Sequence, residues 1–398
     1  MNSGSSVHPR KKSLTVHYSL VQAAYWMNYS VSLGFAAVYL QALGYNNTQL
    51  GGIIASGHLL STLLGPWLAS CIDRSDRVTA KKLAPLLLAF QTAALVIMLF
   101  YPVKGLLTTV LYSVYICLST TDNTLNLKLY TDASYSGIPL DYGFARGIGS
   151  LAYVLSSVVL GILAESSPIR IPPLAGLLMT AFQLAAFLFI AGKVPDTAAV
   201  RDVPKGVTLP EFFRKNPRFC LHLLGMVLIY CAHLAIFSFL INITRNAGGS
   251  TRDMGFLTGY AAAIEIPVML LFTRLFGKKD FGRLLRFSIV FFVFESATIA
   301  AASNLTGLYL AFLLQAPAFA LYTAASVPYV EKAISFEDSA KAQSLTYTTT
   351  ALGSVLASLI CGRLFDLLSV PATLWIAAGI CLIGAVIAFF GIETGKKD

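Results

Sequence analysis

Charge is what this chain has least of. Only 12% of its 398 residues are Asp, Glu, Lys or Arg, against 56% hydrophobic residues, and the mean hydropathy is +0.70. Soluble domains carry about twice that share of charge, so a water-exposed globular fold is excluded. Cysteines are few and scattered: Cys71, Cys117, Cys220, Cys231, Cys361 and Cys381 lie in or beside apolar stretches with no paired spacing. That excludes a disulfide framework and a cysteine metal motif, and leaves buried thiols that fill space. The apolar stretches hold no His-x-x-x-His pair and no Ser/His/Asp cluster, so an intramembrane enzyme has no chemistry to work with. Neither a ring of charge nor a filter sequence marks a channel. A basic domain with base-stacking aromatics is also missing, so the formal charge of +10 does not imply nucleic acid.

What the chain does have is rhythm. Twelve apolar stretches run between Tyr18 and Ile392, each long enough to cross a hydrocarbon core of about 30 Å as a helix of about 20 residues. The expected spans are 17–42, 50–72, 83–103, 105–130, 143–166, 172–192, 220–244, 254–276, 284–304, 305–332, 341–365 and 370–392. The first is too long for a cleaved signal and runs into the second without a small-residue cleavage site. Lysine and arginine set the orientation. With both termini inside, 24 of the 29 basic residues fall on inner segments, and only Lys104, Arg170, Arg245, Arg252 and Arg363 fall outside. The basic charge is therefore a topology signal, with anionic lipid as its natural partner.

One long polar stretch, 193–219, carries Asp196, Pro204, Pro210 and Pro217 and divides six spans from six. The expected organisation is a first bundle over 1–192, a cytoplasmic loop over 193–219 and a second bundle over 220–398. Charge runs recur after the second span of each half, at Asp73-Arg74-Ser75-Asp76-Arg77 and around Arg274, Lys278 and Lys279. Such internal symmetry belongs to carriers built from repeated halves around a midplane site.

Ionisable side chains inside spans are costly and mark function by default. Asp122 lies in the fourth span, Arg146 just inside the fifth, Glu265 at the centre of the eighth and Glu295 in the ninth; His58 and His233 lie in the second and seventh. Each has a structural alternative: an acid that pairs with a base to hold helices in register, or a histidine satisfied in a core. Glu265 is followed by Pro267, whose missing N–H frees a backbone carbonyl nearby. A carboxylate that alternates between dry and wet surroundings gains and loses a proton, which makes Glu265 the candidate proton carrier, with Glu295 and His233 beside it. Arg146 cannot deprotonate and offers a planar fork to a carboxylate or to paired hydroxyls, so it is the candidate substrate contact. The first span carries Gln22, Tyr25, Trp26, Asn28 and Tyr29, of which 22, 25, 26 and 29 share one helical face. Rings interleaved with amides suit a flat or sugar-like solute, against the alternative of plain helix packing.

The run Ile138-Pro139-Leu140-Asp141-Tyr142-Gly143-Phe144-Ala145-Arg146-Gly147-Ile148-Gly149-Ser150-Leu151-Ala152-Tyr153 resembles the loop and fifth-helix start of one branch of the major facilitator superfamily. That branch holds the lactose permease, the nucleoside symporters and the phenylpropionate permeases. The stretch from Glu265 through Arg274-Leu275-Phe276 to Leu284-Leu285 is similar to its eighth and ninth helices. The resemblance implies an all-α membrane protein of twelve transmembrane helices in two pseudo-symmetric six-helix bundles. It also implies roles: Arg146 and Tyr153 on the substrate, Glu265 in recognition and proton coupling, and Asp73 with Arg74 in a cytoplasmic gating loop. The chain departs from the pattern as well. Asn126 or Lys128 stands where the sugar carriers keep a fourth-helix acid, which leaves Asp122 as the substitute. Glu295 replaces a ninth-helix arginine, and Gln315 and Ala318 replace a histidine and a glutamate in the tenth helix.

The expectation is a proton-coupled symporter that imports a small organic solute by alternating access, with the proton gradient in place of any cofactor. A sugar, glycoside or nucleoside leads, because Arg146 and Tyr153 match sugar-contacting positions. An aromatic carboxylate follows closely, because the 138–153 run is nearest the phenylpropionate permeases. A drug efflux antiporter ranks lower, since its glycine- and proline-rich fifth-helix signature is absent from 149–163. The carrier is expected to act as a monomer in a bacterial inner membrane, with solute, protons and lipid as its only partners.

Overall fold

The computed structural model describes residues 7–74, 78–136, 138, 140–195, 208–277 and 279–394, without the side chains of residues 7–13, 73, 74, 273 and 340. Among these residues every regular element is a helix. A bilayer offers backbone amides no water, so an apolar segment must close its own hydrogen bonds, and the helix does this within one stretch of chain. The polar ends supply caps. Asp141 accepts from the Phe144 N–H at 2.9 Å, Asp280 from Gly282 at 2.9 Å and Asn304 from Gly307 at 2.8 Å, each satisfying a donor that the first turn leaves open.

The chain forms α1 (Val7–Tyr29), α2 (Ala36–Ala42), α3 (Asn47–Arg74), α4 (Ala80–Phe100), α5 (Leu106–Tyr135), α6 (Tyr142–Ser166) and α7 (Ile171–Ala191). There follow α8 (Leu209–Lys215), α9 (Pro217–Ser238), α10 (Leu240–Asn246), α11 (Thr251–Phe276) and α12 (Phe281–Ala301). The last are α13 (Leu305–Phe312), α14 (Leu321–Ala333), α15 (Phe336–Leu356), α16 (Gly362–Leu367) and α17 (Val370–Gly391).

Among the described residues ten helical stretches are long and apolar enough to cross a membrane. The two expected spans not among them are the first and the fourth. The fourth is α5, which carries Asp122, Asn126, Lys128 and Asp132. The first is broken: α1 passes through a wider turn at Ser30–Gly34 into α2. The serines explain the break. Ser30 donates to the Met27 carbonyl at 2.7 Å and pairs with Ser156 at 2.9 Å, while Ser32 pairs with Ser119 at 2.8 Å. Side chains that compete for backbone carbonyls and bond sideways loosen the helical ladder. The tenth span is broken too, at Leu313–Ala320 between α13 and α14, where Pro317 has no N–H to donate. The seventh breaks at Phe239 between α9 and α10. The expected central loop holds one short helix, α8, whose buried Phe212 packs edge-on against Phe219.

Two compact units emerge, Met1–Tyr45 with Ser56–Arg201, and Asn46–Ala55 with Asp202–Asp398. In the first, α1 packs on α6, α7 and α5, and α4 packs on α5 and α7. Its apolar core includes Tyr18, Leu68, Ile72, Leu125, Leu129 and Phe187. In the second, α9 packs on α17 and α15, and α12 packs on α17 and α14. The outward faces are apolar: Leu63, Trp67, Leu224, Leu270 and Phe390 are all exposed. The interiors hold Asn28, Gln91, Asp122, Gln183, Gln315 and Glu295. Large exposed apolar patches would make a soluble protein aggregate, whereas lipid covers them without penalty. The chain is a multi-pass membrane protein.

Candidate functional site

Function-bearing side chains gather at four places, two in each unit. Arg146 stands in the second turn of α6, whose start is fixed by the Asp141 cap. Its guanidinium lies 3.9 Å over the Trp26 ring, and its Nη1 donates to Ser150 Oγ at 2.6 Å. The other rings surround the same indole: Tyr25 at 5.2 Å, Tyr29 at 5.3 Å and Tyr153 at 6.2 Å between centroids. Gly149 permits this approach, since a Cβ there would stand 2.6 Å from Trp26 Cδ1. The sequence-expected residues Tyr25, Tyr29, Arg146 and Tyr153 are thus brought together, with Trp26 at their centre. A guanidinium stacked on indole keeps its donors in a fixed plane, which suits paired hydroxyls or a carboxylate.

Another side of α1 carries Asn28 into a polar ring with α4, α5 and α7. Asn28 Nδ2 donates to Gln91 Oε1 at 3.0 Å and to Gln183 Oε1 at 3.2 Å. Both glutamine amides then donate to one oxygen of Asp122, Gln91 at 2.6 Å and Gln183 at 3.2 Å. Tyr115 closes the set by donating to Asn28 Oδ1 at 2.6 Å. Asp122 is 2% exposed and its Oδ1 has no hydrogen-bond partner. Asn126, one turn further along α5, is buried with its Nδ2 unpartnered, and its carbonyl accepts from Tyr18 at 3.2 Å. Sequence reading places Asn28 and Asp122 but misses Gln91, Gln183 and Tyr115. The available signal was a lone amide in an otherwise apolar helix, on α4 and again on α7.

The second unit holds two further arrangements. Gln315 Nε2 donates to Glu265 Oε1 at 2.8 Å, which joins an expected substrate residue to an expected proton residue. Gln315 reaches α11 from the broken stretch between α13 and α14; interruptions of this kind recur at functional sites. Separately, His233 Nδ1 faces Glu295 Oε2 at 3.7 Å, with the two side chains 3% and 1% exposed. That distance is too long for a hydrogen bond, and both Glu295 oxygens and His233 Nδ1 lack one. Phe319 stacks on the imidazole at 5.0 Å and Phe292 meets it edge-on at 5.3 Å. His58 in α3 is buried, and its carbonyl accepts from Ser61 and Thr62. Among the described residues no cluster of His, Cys, Asp or Glu would hold a metal ion. The side chains of the expected gating residues Asp73 and Arg74 lie outside what is described.

Polar side chains sealed inside two helical units sheathed in apolar surface define a carrier of the bundled-helix class. The chain matches the model of the MFS_1 like family over residues 16–377, and it belongs to that family of major facilitator transporters. It is 25% identical over 368 residues to the "Probable 3-phenylpropionic acid transporter" of Escherichia coli (strain K12), covering 90% of this chain and 93% of the relative. Among solved structures, a mutant form of the nucleoside transporter NupG superposes with a TM-score of 0.78 at 15% identity, covering 96% of this chain and all of that one. A bacterial homologue of the human lysosomal transporter Spinster, in an inward-facing unoccupied conformation, gives a TM-score of 0.69 at 15% identity, with 98% of each chain covered. Family and fold make this chain a transporter and not an enzyme.

Proposed function

We propose that this transporter is a proton-coupled symporter importing a small ring-bearing organic solute, a sugar, glycoside or nucleoside, by alternating access. The observation that carries the reading is the Arg146 guanidinium over Trp26, ringed by Tyr25, Tyr29 and Tyr153. Such a surface stacks on the face of a sugar or base while the guanidinium plane binds its hydroxyls. Coupling rests on the acids inside the second unit: Glu265 bound to Gln315, and Glu295 beside His233. The lysine and arginine bias places both termini in the cytoplasm, and the reading is of a monomer in a bacterial inner membrane. Asp73 and Arg74 serve as its cytoplasmic gating loop.

A second reading is favoured by one observation. The relative matched along 90% of this chain is named for 3-phenylpropionic acid, and an aryl acid would set its ring on Trp26 and its carboxylate on Arg146. Uptake into proteoliposomes separates the two. Labelled sugars, nucleosides and aryl acids are offered with and without an inward proton gradient, to wild type and Glu265→Gln. Gradient-driven accumulation of one class, lost in the variant while exchange survives, supports symport and names the solute. Uptake indifferent to the gradient overturns symport.

A further inference from the structure

The first unit contains a buried acid that the coupling groups of the second unit do not explain. We propose that Asp122 is a proton-binding site of this carrier, protonated in the conformation described here and discharged when its amide ring opens. The inference rests on the reading of a proton-driven importer and adds a second proton site to it, in the other unit.

Neutral amides and phenols surround the carboxyl. Asp122 is 2% exposed, and both of its donors, Gln91 and Gln183, are neutral amides on the same oxygen. The other oxygen has no partner. The titratable groups near it are phenols: Tyr25 on α1, within electrostatic reach, and Tyr115 on its own helix. From α4 and α7 the ring receives only amides. The charged group on α6 is Arg146, which acts on Tyr25 and is stacked on Trp26. An ionised carboxylate that is desolvated and not faced by a cation is among the costliest arrangements in a protein interior, and taking up a proton is the ordinary escape. A metal ion is a poor alternative occupant. The glutamine oxygens already accept from Asn28 and the Asn28 oxygen from Tyr115, and among the described residues no group of three His, Cys, Asp or Glu side chains could hold a metal ion.

The ring also supplies a route from solute to proton. Asn28 lies on α1 between Tyr25 and Tyr29, which flank the Trp26–Arg146 stack. Its single amide nitrogen holds both glutamines, and both glutamines hold Asp122. A solute that shifts α1 therefore pulls on both carboxyl contacts at once. Opening the ring admits water, and the carboxylic O–H gives its proton to that water, leaving a carboxylate.

Two measurements on the full-length protein test this. The first is infrared difference spectroscopy in lipid nanodiscs at neutral pH. Wild type is expected to show the carbonyl stretch of a protonated, buried carboxylic acid, and Asp122→Asn is expected to lose that band. A band that persists in Asp122→Asn, or is absent from wild type, overturns the proposal whether or not transport is proton-driven. The second is transport. Asp122→Asn keeps a neutral, same-shaped group and is expected to retain solute exchange while gradient-driven accumulation falls to the level of equilibration. Unimpaired accumulation overturns the proposal, as does accumulation that follows sodium instead of protons and is lost in the variant. Should wild type accumulate nothing under any gradient, the symport reading falls, and the infrared result alone decides whether Asp122 binds a proton.

Discussion

Asp366 closes the amino end of the helix that begins at Asn47, because Thr48 gives one carboxylate oxygen both its backbone N–H, at 2.7 Å, and its hydroxyl, at 2.6 Å. Asn47 serves the other oxygen with its own N–H and side-chain amide, each at 3.0 Å. One carboxylate thus satisfies two of the four donors that a helix start leaves open, from a residue more than 300 positions away. It also lies against the positive end of the α3 dipole. Both partners belong to the second unit, which takes in Asn46–Ala55.

Replacing Asp366 with alanine is expected to cost about 1–2 kcal/mol, the usual loss for an N-cap, and to lower the melting temperature in detergent. Asp366→Asn retains one acceptor and should lose less. Equal melting curves for wild type and both variants would show that water replaces the carboxylate at no cost.

A second prediction concerns the same segment. A Cβ on Gly51 would collide with the Ser358 carbonyl oxygen, a backbone atom that no rotamer change can move. Gly51→Ala is therefore expected to destabilise the packing of residues 46–55 by about 1–3 kcal/mol, as overpacking does elsewhere. Gly52, next along the chain, has open space around its Cβ position, so Gly52→Ala is the control and should melt as wild type. Alanine is the better helix former, so a matching loss at both positions would show that the Ser358 contact is not what the substitution disturbs.

The depth to which the sequence is legible follows from what each signal depends on. The helical class and its apolar sheath are readable because hydropathy is a property of single residues summed along a span. The Tyr25–Trp26–Tyr29 face is readable because helical spacing fixes it locally, whereas its junction with Arg146 and Tyr153 is made by the packing of α6 on α1. The Asp122 ring is a different case. Gln91 and Gln183 each contribute one polar residue to a strongly apolar helix, and only tertiary packing brings α4 and α7 to α5. The break in the first span is hidden for a similar reason. Ser30 and Ser32 look like tolerated small residues until their partners Ser156 and Ser119 arrive from α6 and α5.

A third prediction tests the solute surface. Arg146→Lys keeps the charge but loses the planar stack on Trp26, so solute binding should weaken by about tenfold, or about 1.4 kcal/mol. Trp26→Leu should weaken binding comparably while leaving the charge in place. Both are read as a rise in apparent KM for uptake, with the maximal rate less affected. An unchanged KM in both variants would remove this cluster from the solute path.

The last prediction concerns His233 and Glu295, where the order of severity is informative. Removing the imidazole leaves Glu295 at 1% exposure with neither a hydrogen bond nor the histidine that now faces it. It also empties the slot between Phe319, Phe292 and Phe237. Breaking a buried pair from one side costs about 3–5 kcal/mol when a charge is stranded. Glu295→Gln instead removes the carboxylate and keeps the volume, so the imidazole keeps its aromatic stack. His233→Ala should therefore lower the melting temperature more than Glu295→Gln, and Glu295→Gln added to His233→Ala should restore part of the loss. A double variant no more stable than His233→Ala would mean that the histidine does not stabilise the Glu295 carboxylate. The loss would then be one of aromatic packing alone.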